Sequence, residues 1–296
     1  MRFLFVMLCL NCCVLALHDG RAPASSGRCS APVSAVWEDS RYAPWVVYDY
    51  LLPEEALGLD IYINSLDDQY VISPDNASGC LRTWLYGSMV SSQPLSDDNS
   101  ACFGVAFNHA SDTDSYLTDD WYRSDLFYNE GWTGVWTKEP NPVGTSGRGM
   151  DFDGTDYWIT NGAGSVCRFQ PGVGAEIIEV PMPTWAEDEQ LSGLAIAPYK
   201  GDLILTLTMY HRDCILLYNW DGASLSFITG YAAPERMDVR YSYGLCAFSV
   251  PEYDKMDYYW AYLDYANNYH MAHLFVWMED SEALSSTTWG NIKSIF

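Results

Sequence analysis

Short runs of Ile, Val, Leu, Tyr, Trp and Phe alternate with Gly, Asp, Asn and Pro along most of this chain. That texture predicts β-strands joined by tight turns. The runs also recur on a period. A glycine followed by an apolar run stands at Gly58, Gly104, Gly149, Gly193 and Gly244, with gaps of 46, 45, 44 and 51 residues. A repeat of this length with several strands in each unit points to a β-propeller. The fourth unit shows the plan most fully: strand a at 193–197, a turn at 198–201, strand b at 202–209, strand c at 214–220, an Asp-Gly turn and strand d at 224–231. The second unit is laid out the same way, with strand d expected at Trp132–Trp136.

The chain ends set the blade count. After Met278 the fifth unit turns polar and offers no fourth strand, whereas Trp45–Leu52 is a strand with no unit of its own. Placing that orphan on the outside of the fifth sheet closes a ring and removes an open edge. The expectation is an all-β, five-bladed propeller of four-stranded antiparallel blades over 35–281. Six blades is the alternative, if Trp289–Phe296 or the lead-in adds strands.

Residues 1–16 carry Arg2, an apolar stretch and Val14-Leu15-Ala16, the layout of a secretory signal peptide. Residues 17–34 read as a flexible lead-in and 282–296 as a tail. A secreted or periplasmic, monomeric protein is expected. The formal charge of −24 argues against nucleic acid and against anionic membrane surfaces as partners. Six cysteines follow the leader, and repeat positions place most of them on different blades, beyond the ~7 Å reach of a disulfide. They read as small buried hydrophobes, with a single bridge through Cys29 left open.

The segment Gly-Met-Asp-Phe-Asp-Gly-Thr-Asp-Tyr-Trp-Ile-Thr at 149–160 resembles the blade core of exported bacterial propellers of the streptogramin-lyase-like, NHL-like and surface-layer groups. The resemblance implies the fold and a bacterial source. Streptogramin lyases rely on an axial histidine. No strand a carries one here, and His109 is the nearest. Five-bladed hydrolases of the arabinanase type use three axial carboxylates.

Two residues after the repeat glycines stand Asp60, Ala106, Asp151, Ala195 and Cys246. Two carboxylates near an axis suit glycosidic chemistry in part, but the register supplies no third. They suit better a structural role, bonding backbone groups of the next blade. Loops from strand d to the next strand a carry Glu54, Glu55, Asp97, Asp98, Glu187, Asp188 and Glu189, with Arg148, Arg240, Tyr241 and Tyr243 among them. This rim is the expected binding face, with Asp60, Asp151, Arg148, Arg240, Tyr243 and Trp185 as ligand contacts. The expected partner is a carbohydrate, a peptide or a protein, bound without catalysis; the alternatives are a carbohydrate-active hydrolase or lyase using Asp60 and Asp151, and a purely structural surface protein. No cofactor and no metal site is expected. Asp151-x-Asp153-Gly154-x-Asp156 leaves calcium open, yet the twelfth position is Gly162 rather than Glu, and the segment reads as an a–b hairpin turn. His270 and His273 lie three apart on a strand and so on opposite faces, unsuited to sharing a zinc ion.

Overall fold

The structure is a computed structural model that describes residues 44–278, except 54, 65, 109–114, 121, 132–133, 163, 235 and 251–253. The leader, lead-in and tail, Cys29, Glu54 and His109 lie outside the described residues.

Among the described residues, twenty strands form five four-stranded antiparallel sheets. Blade one holds β2 (Asp60–Ile63), β3 (Gln69–Asp75), β4 (Cys80–Leu85) and β5 (Ser88–Pro94). Blade two holds β6 (Val105–Asn108), β7 (Ser115–Asp120), β8 (Asp125–Glu130) and β9 (Thr137–Pro140). Blade three holds β10 (Met150–Phe152), β11 (Tyr157–Thr160), β12 (Ser165–Gln170) and β13 (Gly174–Glu179). Blade four holds β14 (Leu191–Tyr199), β15 (Asp202–Met209), β16 (Cys214–Trp220) and β17 (Leu225–Ala232). Blade five runs β18 (Val239–Val250), β19 (Lys255–Asp264) and β20 (Tyr269–Trp277), and its outer strand is β1 (Trp45–Leu52).

The orphan strand thus closes the ring as expected. β1 pairs antiparallel with β20, from Trp45 opposite Phe275 to Leu52 opposite Tyr269. Tyr262 Oη donates to Asp49 Oδ2 at 2.7 Å, His270 bridges Asp49 and Asp264 at 3.2 Å each, and Arg236 donates to the Val46 carbonyl. The expected strand d of blade two is displaced: β9 starts at Thr137. Gly131 and Gly134 both take positive φ, and the described residues Val135 and Trp136 lie ahead of the strand. In blade four β14 runs through Tyr199, and the turn is the pair Lys200 and Gly201, both at positive φ, the geometry a tight two-residue hairpin demands.

The repeat glycines explain the ring. A Cβ on Gly58 would lie 2.0 Å from the Phe103 carbonyl oxygen, and one on Gly104 would lie 2.4 Å from that of Arg148. A Cβ on Gly149 would meet Leu194 N at 2.4 Å, one on Gly193 the Tyr243 carbonyl oxygen at 2.5 Å, and one on Gly244 Leu59 N at 2.4 Å. Each blade therefore presses backbone to backbone on the next, and the fifth presses on the first. Only a residue without Cβ permits that approach.

Between blades, apolar side chains fill the gaps in five clusters. Trp158, Tyr218 and Trp220 pack between blades three and four, and Tyr258, Trp260 and Ile215 between four and five. Trp84 and Tyr259 join blades five and one, Ile72 and Phe107 blades one and two, and Leu117 and Tyr157 blades two and three. Cys80, Cys102, Cys167, Cys214 and Cys246 are buried and form no disulfide among the described residues, as small core hydrophobes.

Candidate functional site

Innermost strands have no partner on their axial side, so their amides must find acceptors elsewhere. Asp60 and Asp151 supply four. Asp60 accepts from Ile61 N at 2.6 Å with one oxygen and from Phe107 N of blade two with the other. Asp151 accepts from Phe152 N at 2.6 Å and from Ile196 N of blade four at 2.5 Å. The two sites are copies of one another: each carboxylate takes the amide three residues past its own glycine and the matching amide of the next blade. Both residues are buried, at 3% and 6% exposure. Burial raises both carboxyl pKa values despite the amide donors, and the charge of Asp151 adds to the rise at Asp60. Cys246, at the same position in blade five, is raised by burial and by both aspartates. The axis is a packed acidic plug.

The loops from strand d to strand a and from b to c open on the other end of the axis. The residues just before the repeat glycines are Leu57, Phe103, Arg148, Ser192 and Tyr243. Three of them meet there. Phe103 stands edge-on to Tyr243 at 6.2 Å between centroids, and the Arg148 guanidinium lies 5.7 Å from the Phe103 ring. Tyr243 packs on Tyr269 at 6.1 Å and on Tyr210 at 5.8 Å. Tyr210 stacks on Tyr241 at 4.9 Å, and Arg240 covers Tyr241 at 4.9 Å. A continuous aromatic ribbon, with a guanidinium at each end, thus crosses the mouth from blade five to blade three. Arg240 is anchored by Asn267 Oδ1 at 2.6 Å.

Glu55 lies beside the ribbon and accepts from Tyr269 Oη at 3.1 Å. Burial raises its pKa above the usual carboxylate range, against the pull of that hydrogen bond. Burial likewise raises the hydroxyls of Tyr210, Tyr243 and Tyr269, each of which also feels the Glu55 charge.

Beneath Phe103, Asp119 Oδ1 accepts from Phe103 N and Gly104 N at 2.7 Å each, while Oδ2 has no hydrogen-bond partner among the described residues. Burial pushes this carboxyl up to about 7, although the two amides and Arg148 favour its charged form. Arg148 is itself buried, donates to the carbonyls of Thr145 and Gly147, and has its pKa lowered by that burial. At the matching position blades three and four hold threonine: Thr160 Oγ1 accepts from Arg148 N and Thr208 Oγ1 from Gly193 N.

The structure therefore brings Arg148, Arg240 and Tyr243 together and sets Asp60 and Asp151 apart, in the axial plug. Tyr243 is a buried strand residue rather than an isolated rim aromatic. Trp185, in the loop between β13 and β14, is half-buried against the core between blades three and four. Phe103, Tyr210, Tyr269 and Asp119 are absent from the sequence-derived set. The position preceding each repeat glycine is the signal that finds Phe103. Asp153 of the calcium-like segment spends its oxygens on Thr155 N, Asp156 N and Trp158 Nε1, as a turn residue does. His270 and His273 face different carboxylates, Asp49 and Asp264 against Asp257.

Fold and closure define a five-bladed β-propeller. Its ring is similar to the solved structure of a thermostable family-43 glycoside hydrolase, with a TM-score of 0.56 at 8% identity over 78% of this chain and 94% of that one. It is also similar to virginiamycin B lyase from Staphylococcus aureus, with a TM-score of 0.42 at 8% identity over 78% of this chain and 99% of that one. Such likeness speaks for the fold alone. No protein-family model matches the sequence, and no curated protein matches it significantly.

Proposed function

We propose that this chain is an exported, non-enzymatic β-propeller that binds a carbohydrate, a peptide or a protein partner at the axial mouth. The observation that carries this reading is the ribbon Arg240–Tyr241–Tyr210–Tyr243–Phe103–Arg148 with Glu55 beside it, of which Arg240, Tyr241, Tyr210 and Glu55 are partly exposed and Tyr243, Phe103 and Arg148 are the buried base. Aromatic and arginine side chains are the groups that dominate recognition surfaces, because they bury much area at little cost in side-chain entropy. Propeller loops on one face are also free to diverge while the sheets hold them in place.

The hydrolase alternative through Asp60 and Asp151 finds less support. Both carboxylates are buried, and both spend their oxygens on amides of adjacent blades. A general acid or a nucleophile must reach its substrate. The test is a combined glycan and peptide array with wild type and Tyr241→Ala. Retention of a ligand that Tyr241→Ala loses is expected; no retained ligand, together with turnover of any glycoside, overturns the reading.

A further inference from the structure

We infer that the mouth takes a cationic group, a lysine or arginine side chain presented by a peptide or protein, seated on the tyrosines beside Glu55. This rests on reading the mouth as the binding site and names the chemistry of its ligand.

Four observations converge. First, the ribbon already accepts cations: the chain's own guanidinium groups lie on it at both ends, 4.9 Å over Tyr241 and 5.7 Å over Phe103. Ring faces carry negative electrostatic potential, and tyrosine is among the better rings for holding a cation. Second, the acid beside the ribbon is already tied to it by a hydroxyl: Tyr269 donates to Glu55 at 3.1 Å. A sugar is oriented by polar groups that meet its hydroxyls; here the Tyr269 hydroxyl is taken by Glu55, and the partly exposed rings of Tyr210, Tyr241 and Tyr269 with the Glu55 carboxylate are what a ligand meets. Third, both end cations are already engaged by the protein. Arg240 bonds Asn267, and Arg148 turns to the Thr145 and Gly147 carbonyls next to Asp119, so neither dominates the centre. Buried beneath, Asp119 keeps one oxygen without a partner among the described residues. Fourth, the chain is strongly acidic, at −24, with exposed Asp97, Asp98, Glu187 and Asp188 in loops on the same face. Such a field steers cationic partners toward the mouth and repels anionic ones.

The probe is an acetylated, amidated hexalysine peptide, titrated calorimetrically into wild type, Glu55→Gln, Tyr241→Ala and the rim double variant Asp97→Asn/Asp98→Asn, with a neutral oligosaccharide panel in parallel. Thermal melts confirm that each variant is folded; should Glu55→Gln fail to fold, Tyr241→Ala carries the test. Expected is hexalysine binding that weakens about 10-fold in Glu55→Gln and about 5-fold in Tyr241→Ala, and much less in the rim variant. Equal loss in the rim variant and the mouth variants marks unspecific charge attraction and overturns the inference. Oligosaccharide binding that Tyr241→Ala abolishes, with hexalysine indifferent to both mouth variants, overturns the cationic ligand but leaves the mouth as the site. No probe sensing any mouth variant, or no binding at all, overturns both.

Discussion

Asp119 is the buried acid whose replacement gives the cleanest measurement. Its carboxyl holds its proton to about 7, against 3.8 for an ordinary aspartate. Between those values the folded chain keeps a proton that the unfolded chain releases. The stabilising contribution of the neutral form is therefore complete below about pH 3.8 and fades as pH rises toward 7. Across the whole window the loss is about 4 kcal/mol. Asp119→Asn keeps the shape and an acceptor for Phe103 N and Gly104 N but does not titrate. The attraction of Arg148 for the charged form is already contained in the Asp119 shift. The stability of Asp119→Asn relative to wild type should thus climb by about 4 kcal/mol from pH 4 to pH 8, or about 10 °C in melting temperature for a domain this size. Urea titrations followed by tryptophan fluorescence at four pH values give the difference directly. Parallel curves for the two proteins would refute the reasoning, since both share the same net-charge background. Asp119→Thr, which installs the residue of blades three and four, should show the same flattening.

Other outcomes follow from the same structure. Gly149→Ala forces a Cβ to 2.4 Å from Leu194 N and should cost at least about 3 kcal/mol, whereas Gly222→Ala, with open space around it and only a positive φ to strain, should cost about 1 kcal/mol; thermal melts separate them. Asp151→Ala leaves the amides of Phe152 and Ile196 without acceptors and should destabilise by about 2–4 kcal/mol, with faster hydrogen exchange at Ile196 as the local readout. Asp49→Ala removes an acceptor shared by Tyr262 and His270 and should lower stability by about 1–2 kcal/mol, measured in urea, while loosening exchange protection along β1 first. The five described cysteines should stay unreactive toward a thiol reagent until the protein unfolds.

The ring was legible because its causes are local. Close backbone approach at Gly58, Gly104, Gly149, Gly193 and Gly244 excludes every other residue, so the contact leaves a written period. The orphan strand was legible because an unpaired run such as Trp45–Leu52 must find a sheet. Strand d of blade two was misplaced because aromatic content suggested strand, while Gly131 and Gly134 take positive φ and the strand begins at Thr137. The mouth was half legible. Arg148, Arg240 and Tyr243 sit in or beside loops already read as rim. Tyr210 and Tyr269 flank the b–c connections, and nothing local says that those connections share a face with the d–a loops. Asp119 looks like one of two surface acids before a turn. Only the pairing of β7 with β6 shows that it faces inward, toward Phe103 N and Gly104 N.

Ring closure also dictates an order of events during synthesis. β1 is made first, and its hydrogen-bonding partner β20 comes more than two hundred residues later. Until β20 emerges, a strand carrying Trp45, Val47, Tyr48 and Leu51, all exposed even in the finished molecule, has no sheet to join. Joining the two ends draws together the longest loop in the chain, which makes it a late and slow step. In the interval the same sticky ribbon is free to pair with the unfinished fifth blade of a neighbouring nascent chain, so the production of this protein should be governed less by the strength of its blades than by how long its first strand must wait.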